Sequence, residues 1–140
     1  MPPSIRISTE ILTALLTHAR ANSPNESCGL LAGRDSTITF FCPTANASPT
    51  PKTNYEIAPR DLFQIIRELR KNNLELLAIY HSHPTTENKP SPTDIATAYY
   101  PDTPYIIVAP QPTAPNPIRA FQIREGRVHE LSINVISAER

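Results

Sequence analysis

The sequence predicts an α/β fold in which a mixed β-sheet is sandwiched by helices, and three observations carry that expectation. Residues 8–22 and 59–71 repeat apolar side chains at helical spacing. Residues 74–80 and 104–109 are apolar runs of the length of a buried strand. The elements then alternate as helix, hairpin, strand, helix, strand, helix, strands, an order that layers helices on a sheet.

The 140 residues read as one domain over 1–140, long enough to bury a core without staples. Its 13 Lys+Arg balance 13 Asp+Glu, so no net field recruits nucleic acid or an anionic membrane. Met1-Pro2-Pro3-Ser4 lacks the charged and apolar regions of a leader, and no apolar run approaches membrane-spanning length, so a cytoplasmic protein is expected. The 16 prolines against 3 glycines gather at 43–51, 84–92 and 101–117, which predicts stiff loops.

In the first helix Ser8 or Thr9 is the cap, and Ile11, Leu12, Leu15, Leu16 and Ala19 form the apolar stripe. His18 lies toward the edge of that stripe and reads as a surface residue. Pro24-Asn25-Glu26-Ser27 leads into a strand at 28–33, and Arg34-Asp35 turns it into 37–42, a hairpin. Cys28 and Cys42 fall near its opposite ends and are candidate cross-strand neighbours. In a reducing cytoplasm they read as buried small hydrophobes. A polar connection at 43–52 precedes a short strand at 53–57. Pro59 or Arg60 opens the second helix, striped by Leu62, Phe63, Ile65, Ile66 and Leu69 and ended by Lys71-Asn72-Asn73. It delivers the chain into the strand at 74–80. A third helix runs from 93 to about 100, stopped by Pro101, and 104–109 is a central strand. The four prolines of 110–117 make a rigid connector or a substrate lip. Strands 118–124 and 127–136 join at Glu125-Gly126, a hairpin signal, with His129 at the margin of the buried face.

The densest chemistry lies in residues 80–94, YHSHPTTENKPSPTD. His81 and His83 are two apart, so at the end of a strand both imidazoles leave the same face. Pro84 ends that strand by removing the next ladder donor. Ser91-Pro92-Thr93-Asp94 places Ser at N-cap, Pro at N1 and Asp at N3, which holds Asp94 in a first helical turn near the strand end. Two neutral imidazoles and one carboxylate make a three-ligand zinc site, and the open fourth position marks a catalytic zinc. A plainer reading takes the histidines as surface residues and Ser91 with Asp94 as a capping box. That accounts for the second half, but not for both paired histidines of a chain with 4 falling just before the cap.

His81-x-His83, seven residues and Ser91-x-x-Asp94 resemble in full the signature of the JAMM (MPN+) metalloproteases, and Glu26 stands as a counterpart of their upstream glutamate. Pro24-x-Glu26-x-Cys28-Gly29-Leu30-Leu31-x-Gly33, Asn54-Tyr55-Glu56-Ile57-x-Pro59 and the closing strands also look like the short bacterial members, so the resemblance covers almost the whole chain. It implies a cytidine-deaminase-like architecture and one zinc per chain on His81, His83 and Asp94. It also implies that Ser91 helps to stabilise the developing oxyanion and that Glu26 activates the attacking water. From the residues alone the base stays open between Glu26, Glu87, Glu56 and Glu75. A base must be held rigidly, which disfavours Glu87 on a proline-rich loop tip, and only the resemblance decides for Glu26.

This compact chain has little room for the insertions with which ubiquitin-chain-cleaving relatives grip a second ubiquitin. The resemblance therefore implies a substrate of the bacterial kind: a ubiquitin-like sulfur-carrier protein ending in Gly-Gly, from which an amino acid such as cysteine or a short peptide is released. Two alternatives stand beside it. One is a non-catalytic interaction module of the same fold, against which the complete metal signature speaks. The other is a zinc amidohydrolase acting on another peptide; the lack of a C-x-x-C argues against a deaminase site. A homodimer, and iron or manganese in place of zinc, are compatible with the sequence.

Overall fold

The computed structural model describes residues 4–137; the reading of Met1-Pro2-Pro3 as free of a leader falls outside that range. The chain runs β1 (Ile5–Ser8), α1 (Thr9–Asn22), β2 (Cys28–Arg34), β3 (Thr37–Thr44), α2 (Pro59–Lys71), β4 (Glu75–Ser82), α3 (Pro92–Ala96), β5 (Tyr105–Val108), β6 (Ile118–Arg124), β7 (Arg127–Leu131) and β8 (Ile133–Ile136). The strands form one mixed sheet in the order β7-β6-β5-β4-β2-β3-β1-β8. β4 with β5, and β1 with both β3 and β8, pair in parallel; the other neighbours are antiparallel.

Strand periodicity divides the core between the two faces. Leu31, Ala78, Tyr80, Ile106 and Val108 pack with Leu15 and Ala19 of α1. Leu30, Ile79, Tyr105 and Ile107 face the other way, against Leu62 and Ile65 of α2 and Ile95 of α3. The helices therefore cover both faces, as the alternating pattern predicts. Since Ile79 faces α2 and α3, His81 must do so too.

Several expectations need correction. β1 went unforeseen because four residues are too few to show a period, and its place is set by neighbours distant in sequence. Residues 53–57 form no strand. The Asn46 side chain holds this segment instead: its Oδ1 accepts from Glu56 N at 3.0 Å and its Nδ2 donates to Asn54 O at 2.9 Å. The third helix stops at Ala96, where the Thr97 hydroxyl and N–H both turn back to the Thr93 carbonyl. The expected strand 127–136 breaks at Ser132 into β7 and β8, which lie at opposite edges of the sheet. The sheet curls far enough for Ile5 N to donate to Ser132 O at 3.0 Å. Phe63 is exposed rather than in the stripe, and His129 is exposed on β7. The register sets Cys28 opposite Thr44 and Leu30 opposite Cys42, so the two thiols do not face each other, and both are free.

The β2–β3 hairpin turns through Asp35 (φ 53°) and Ser36 (φ 62°), beside a bulge between Ala32 and Gly33. A Cβ at Gly33 would lie 1.9 Å from the Thr37 carbonyl oxygen, a backbone atom that cannot rotate away. Gly33→Ala should therefore destabilise the fold by about 1–3 kcal/mol. Urea unfolding would show it as a lower midpoint at unchanged slope; an unchanged midpoint would mean that the bulge relaxes freely.

Candidate metal centre

Half of the site follows from the β2–β4 register. Cys28 pairs with His81 and Gly29 with Tyr80. Each step back along one antiparallel strand is a step forward along the other, so Ser27 lies across from Ser82 and Glu26 across from His83. Opposite residues share a face. Glu26, His81 and His83 thus stand together on the side of α2 and α3, buried to 6%, 1% and 3% exposure. The other half comes from the start of α3. Ser91 Oγ accepts from Asp94 N at 3.0 Å, and Asp94 Oδ2 accepts from Ser91 N at 2.9 Å, a closed capping box that aims the carboxylate back at the strand end.

His81 Nε2 is 3.2 Å from His83 Nε2 and 3.2 Å from Asp94 Oδ2, and the third side, His83 Nε2 to Asp94 Oδ2, is 3.0 Å. His83 Nδ1 donates to the Glu87 carbonyl at 2.8 Å, which leaves the Nε2 lone pair of the neutral ring facing the cluster. The His81 ring lies flat on Tyr55, centroids 4.2 Å apart and planes inclined by 16°. Its Nδ1 has no hydrogen-bond partner among the described residues, and neither has Glu26 Oε1. A Glu26 oxygen and a ring nitrogen of each histidine lie within 4.8 Å of one another.

Electrostatics bind the group together. Burial lowers the basicity of His81, with Asp94 opposing. Burial also works against a charge on His83, but hydrogen bonds to Asp94 and the Glu87 carbonyl outweigh it and its basicity rises. Burial likewise disfavours an ionised Asp94, yet hydrogen bonds from His81, His83 and Ser91 N–H hold its carboxyl well below the usual range. Burial pushes the Glu26 carboxyl up to about 7, with His83 pulling it down and Asp94 pushing it up.

This arrangement suits a small cation. Tetrahedral zinc with donors at about 2.0–2.1 Å sets them about 3.3 Å apart, close to the sides of the observed triangle. Three mutually close donor atoms with few protons to share are satisfied poorly by hydrogen bonds alone. Among these side chains the His81–His83–Asp94 set is tightest. Glu26 adds a carboxylate within reach of both histidines, with its Oε1 unpartnered among the described residues.

A family model described as prokaryotic homologs of the JAB domain matches residues 8–124, which include all of these side chains. The chain belongs to this family. The JAB homologue is 32% identical over 132 residues to the CysO-cysteine peptidase of Mycobacterium tuberculosis, covering 93% of this chain and 90% of that protein. It is 36% identical over 117 residues to a probable TtuB-protein conjugate cleaving protease of Thermus thermophilus, covering 84% and 74%. A solution structure of a protein from Desulfitobacterium hafniense superposes with a TM-score of 0.85 at 30% identity, over 95% of this chain and 93% of that one. A JAB1/MPN domain protein from Archaeoglobus fulgidus shares the fold at a TM-score of 0.64 and 19% identity, covering 95% and 97%. The architecture is thus the JAMM/MPN fold that the signature implies.

Of the rival bases, Glu56 and Glu75 are exposed. Glu87 contributes its carbonyl rather than its carboxylate, which lies in solvent beside Arg119 and Lys89. His18 is half-buried rather than on the surface, and its Nδ1 lies 3.2 Å from the Tyr80 hydroxyl on the far face of the sheet. Tyr55 and Asn46 were not singled out from sequence. The first packs on His81 and the second holds the Glu26 carbonyl at 3.0 Å, both across long loops that no local pattern reports. Among the described residues no helix is long and apolar enough to cross a membrane.

Proposed function

We propose that this JAB homologue is a cytoplasmic zinc metallopeptidase, one domain over 1–140 with one zinc on His81, His83 and Asp94. It hydrolyses the bond after the C-terminal Gly-Gly of a ubiquitin-like sulfur-carrier protein. The observation that carries the reading is the buried triangle of three donor atoms with an unpartnered carboxylate oxygen beside it. The relatives named for cleaving CysO-cysteine and TtuB conjugates support the substrate class.

Zinc held there supplies Lewis acidity, lowering the pKa of water from about 16 toward 7 and polarising the scissile carbonyl. The protein's own groups manage protons and charge. Glu26, rigid and nearly dry, takes a proton from the attacking water and passes it to the leaving nitrogen as the C–N bond breaks. Ser91 Oγ already accepts from Asp94 N–H, so its own proton is free to be donated to the carbonyl oxygen as that becomes anionic. Asp94 stays ionised throughout. Next to this wall a cavity of about 580 Å³ opens between Tyr55, Ile57, Leu62, Asp94, Tyr99 and Tyr100, room for an extended tail. Glycines suit its approach because a chain without side chains passes a narrow channel.

The test is elemental analysis of the purified protein followed by mass spectrometry of a sulfur-carrier protein extended by Gly-Gly-Cys. Bound zinc with release of cysteine supports the reading. A zinc-loaded protein that leaves the carrier intact while cutting unrelated peptides would replace it with a general amidohydrolase, and a protein that takes up no metal would leave a non-catalytic module.

A further inference from the structure

We propose that Ser82 and Ser27 are positioning residues: a hydrogen-bonded clamp on the face of the sheet opposite the site that holds Glu26 at its place beside His81 and His83. The inference rests on the hydrolytic reading of the site and extends it to residues that touch neither metal nor substrate.

Where Ser27 meets Ser82, one rung of the β2–β4 ladder is made in the ordinary way, Ser82 N–H donating to the Ser27 carbonyl at 3.0 Å. The reciprocal donor is diverted. Ser27 N–H donates to Ser82 Oγ at 2.8 Å, so a side chain replaces a backbone acceptor where the chain leaves the sheet. The next residue is Glu26, whose N–H donates to the Pro51 carbonyl at 2.7 Å and whose carbonyl accepts from Asn46 Nδ2 at 3.0 Å. Loop 44–56 thus fixes one side of Glu26 and the serine clamp the other.

The clamp is itself buttressed. Ser27 Oγ donates to Ser82 Oγ at 3.0 Å and is hydrogen-bonded to the Tyr80 hydroxyl, which is 3.2 Å from His18 Nδ1 on α1. Phe41 packs edge-on against both the His18 and Tyr80 rings. Ser27, Tyr80 and Ser82 are buried at 3%, 0% and 0% exposure. Polar groups so deep in an apolar layer are tolerated only when paired, and here the pairing is sequential from α1 to the backbone of Glu26. Strand alternation puts these hydroxyls on the side away from the triangle, so their influence on catalysis passes through the backbone at 26–28 and 81–83. Ser82 lies between His81 and His83, which makes it the shortest link between the base and the histidine pair.

The experiment is a double-mutant cycle on zinc-loaded protein with the Gly-Gly-Cys-extended carrier, comparing Ser82→Ala in the wild-type and Glu26→Gln backgrounds under steady-state conditions. Ser82→Ala should lower kcat at least about 10-fold with KM and the zinc dissociation constant each within about 3-fold, the latter by chelator competition. In the Glu26→Gln background the same change should cost less than about 2-fold, because a misplaced base matters only where a base is present. Tyr80→Phe, which keeps the ring packing, should show a smaller loss with the same dependence on Glu26 and serves where Ser82→Ala folds poorly. Equal losses in both backgrounds, or zinc affinity falling in step with kcat, would overturn the proposal in favour of a general structural role. A wild type that cleaves no carrier overturns the hydrolytic reading and this one with it. An active wild type matched by Ser82→Ala and Tyr80→Phe overturns this one alone.

Discussion

Glu26→Gln should slow cleavage of the Gly-Gly-Cys-extended carrier by about 10²–10⁴-fold while the protein still binds zinc. The amide keeps the size and shape of the side chain but cannot take a proton. Glu26 is 6% exposed and one of its oxygens has no partner among the described residues, so its burial is a cost that the fold bears. The same substitution should raise the stability of the metal-free protein. Burial lifts the carboxyl from 4.5 to about 7, so the folded state holds a proton that the unfolded state has released. The fold loses stability as pH rises from 4.5 to 7, and the loss is complete above that window, corresponding to about 3 kcal/mol. Metal-free Glu26→Gln should accordingly melt above the wild type at pH 8 and draw level with it near pH 4. Activity within 10-fold of wild type would show that another group carries the proton.

Asp94→Asn should weaken zinc binding by more than about 100-fold, and cleavage should fall with it, since even outer partners of a metal ligand are worth 10–100-fold. Asparagine still accepts from Ser91 N–H and can keep the cap of α3, so the variant separates the carboxylate's charge from its structural role. A pH scan of the metal-free protein supplies a second readout. Asp94 is held well below its ordinary value of 3.8, so its stabilisation is present above that value and is lost as pH falls through and below it. The wild type should lose melting temperature in that acid window more steeply than Asp94→Asn. Zinc retained by the variant at wild-type affinity would remove Asp94 from the site and favour Glu26, which lies within reach of both histidines.

The parts of the site that the sequence reveals are those built by local geometry. His81 and His83 share a face because a strand alternates every residue, and Asp94 returns toward them because Ser91-Pro92-Thr93-Asp94 spells a capping box. Both devices act within a few residues, so reading along the chain suffices. Glu26 is different. Among four candidate glutamates nothing local favours it, and its place is set by a β2–β4 register that pairs residues distant in sequence, such as Cys28 with His81. The expected strand at 53–57 failed for the same reason: Asn46, seven or more residues upstream, supplies by its side chain the hydrogen bonds that a neighbouring strand was expected to make.

By itself the sequence determined the α/β class, the two long helices, the β2–β3 hairpin and the strand that ends at the two histidines, because periodicity, caps and turns are short-range and each residue reports its own conformation. Tertiary structure alone decided that β7 and β8 part to opposite edges of a curled sheet, that Tyr55 roofs His81, and that Ser27, Ser82, Tyr80 and the half-buried His18 form a hydrogen-bonded chain behind the site. Those outcomes depend on which strands become neighbours and in what register. That choice is made by burying the most apolar surface across the whole chain, so no single stretch of residues records it.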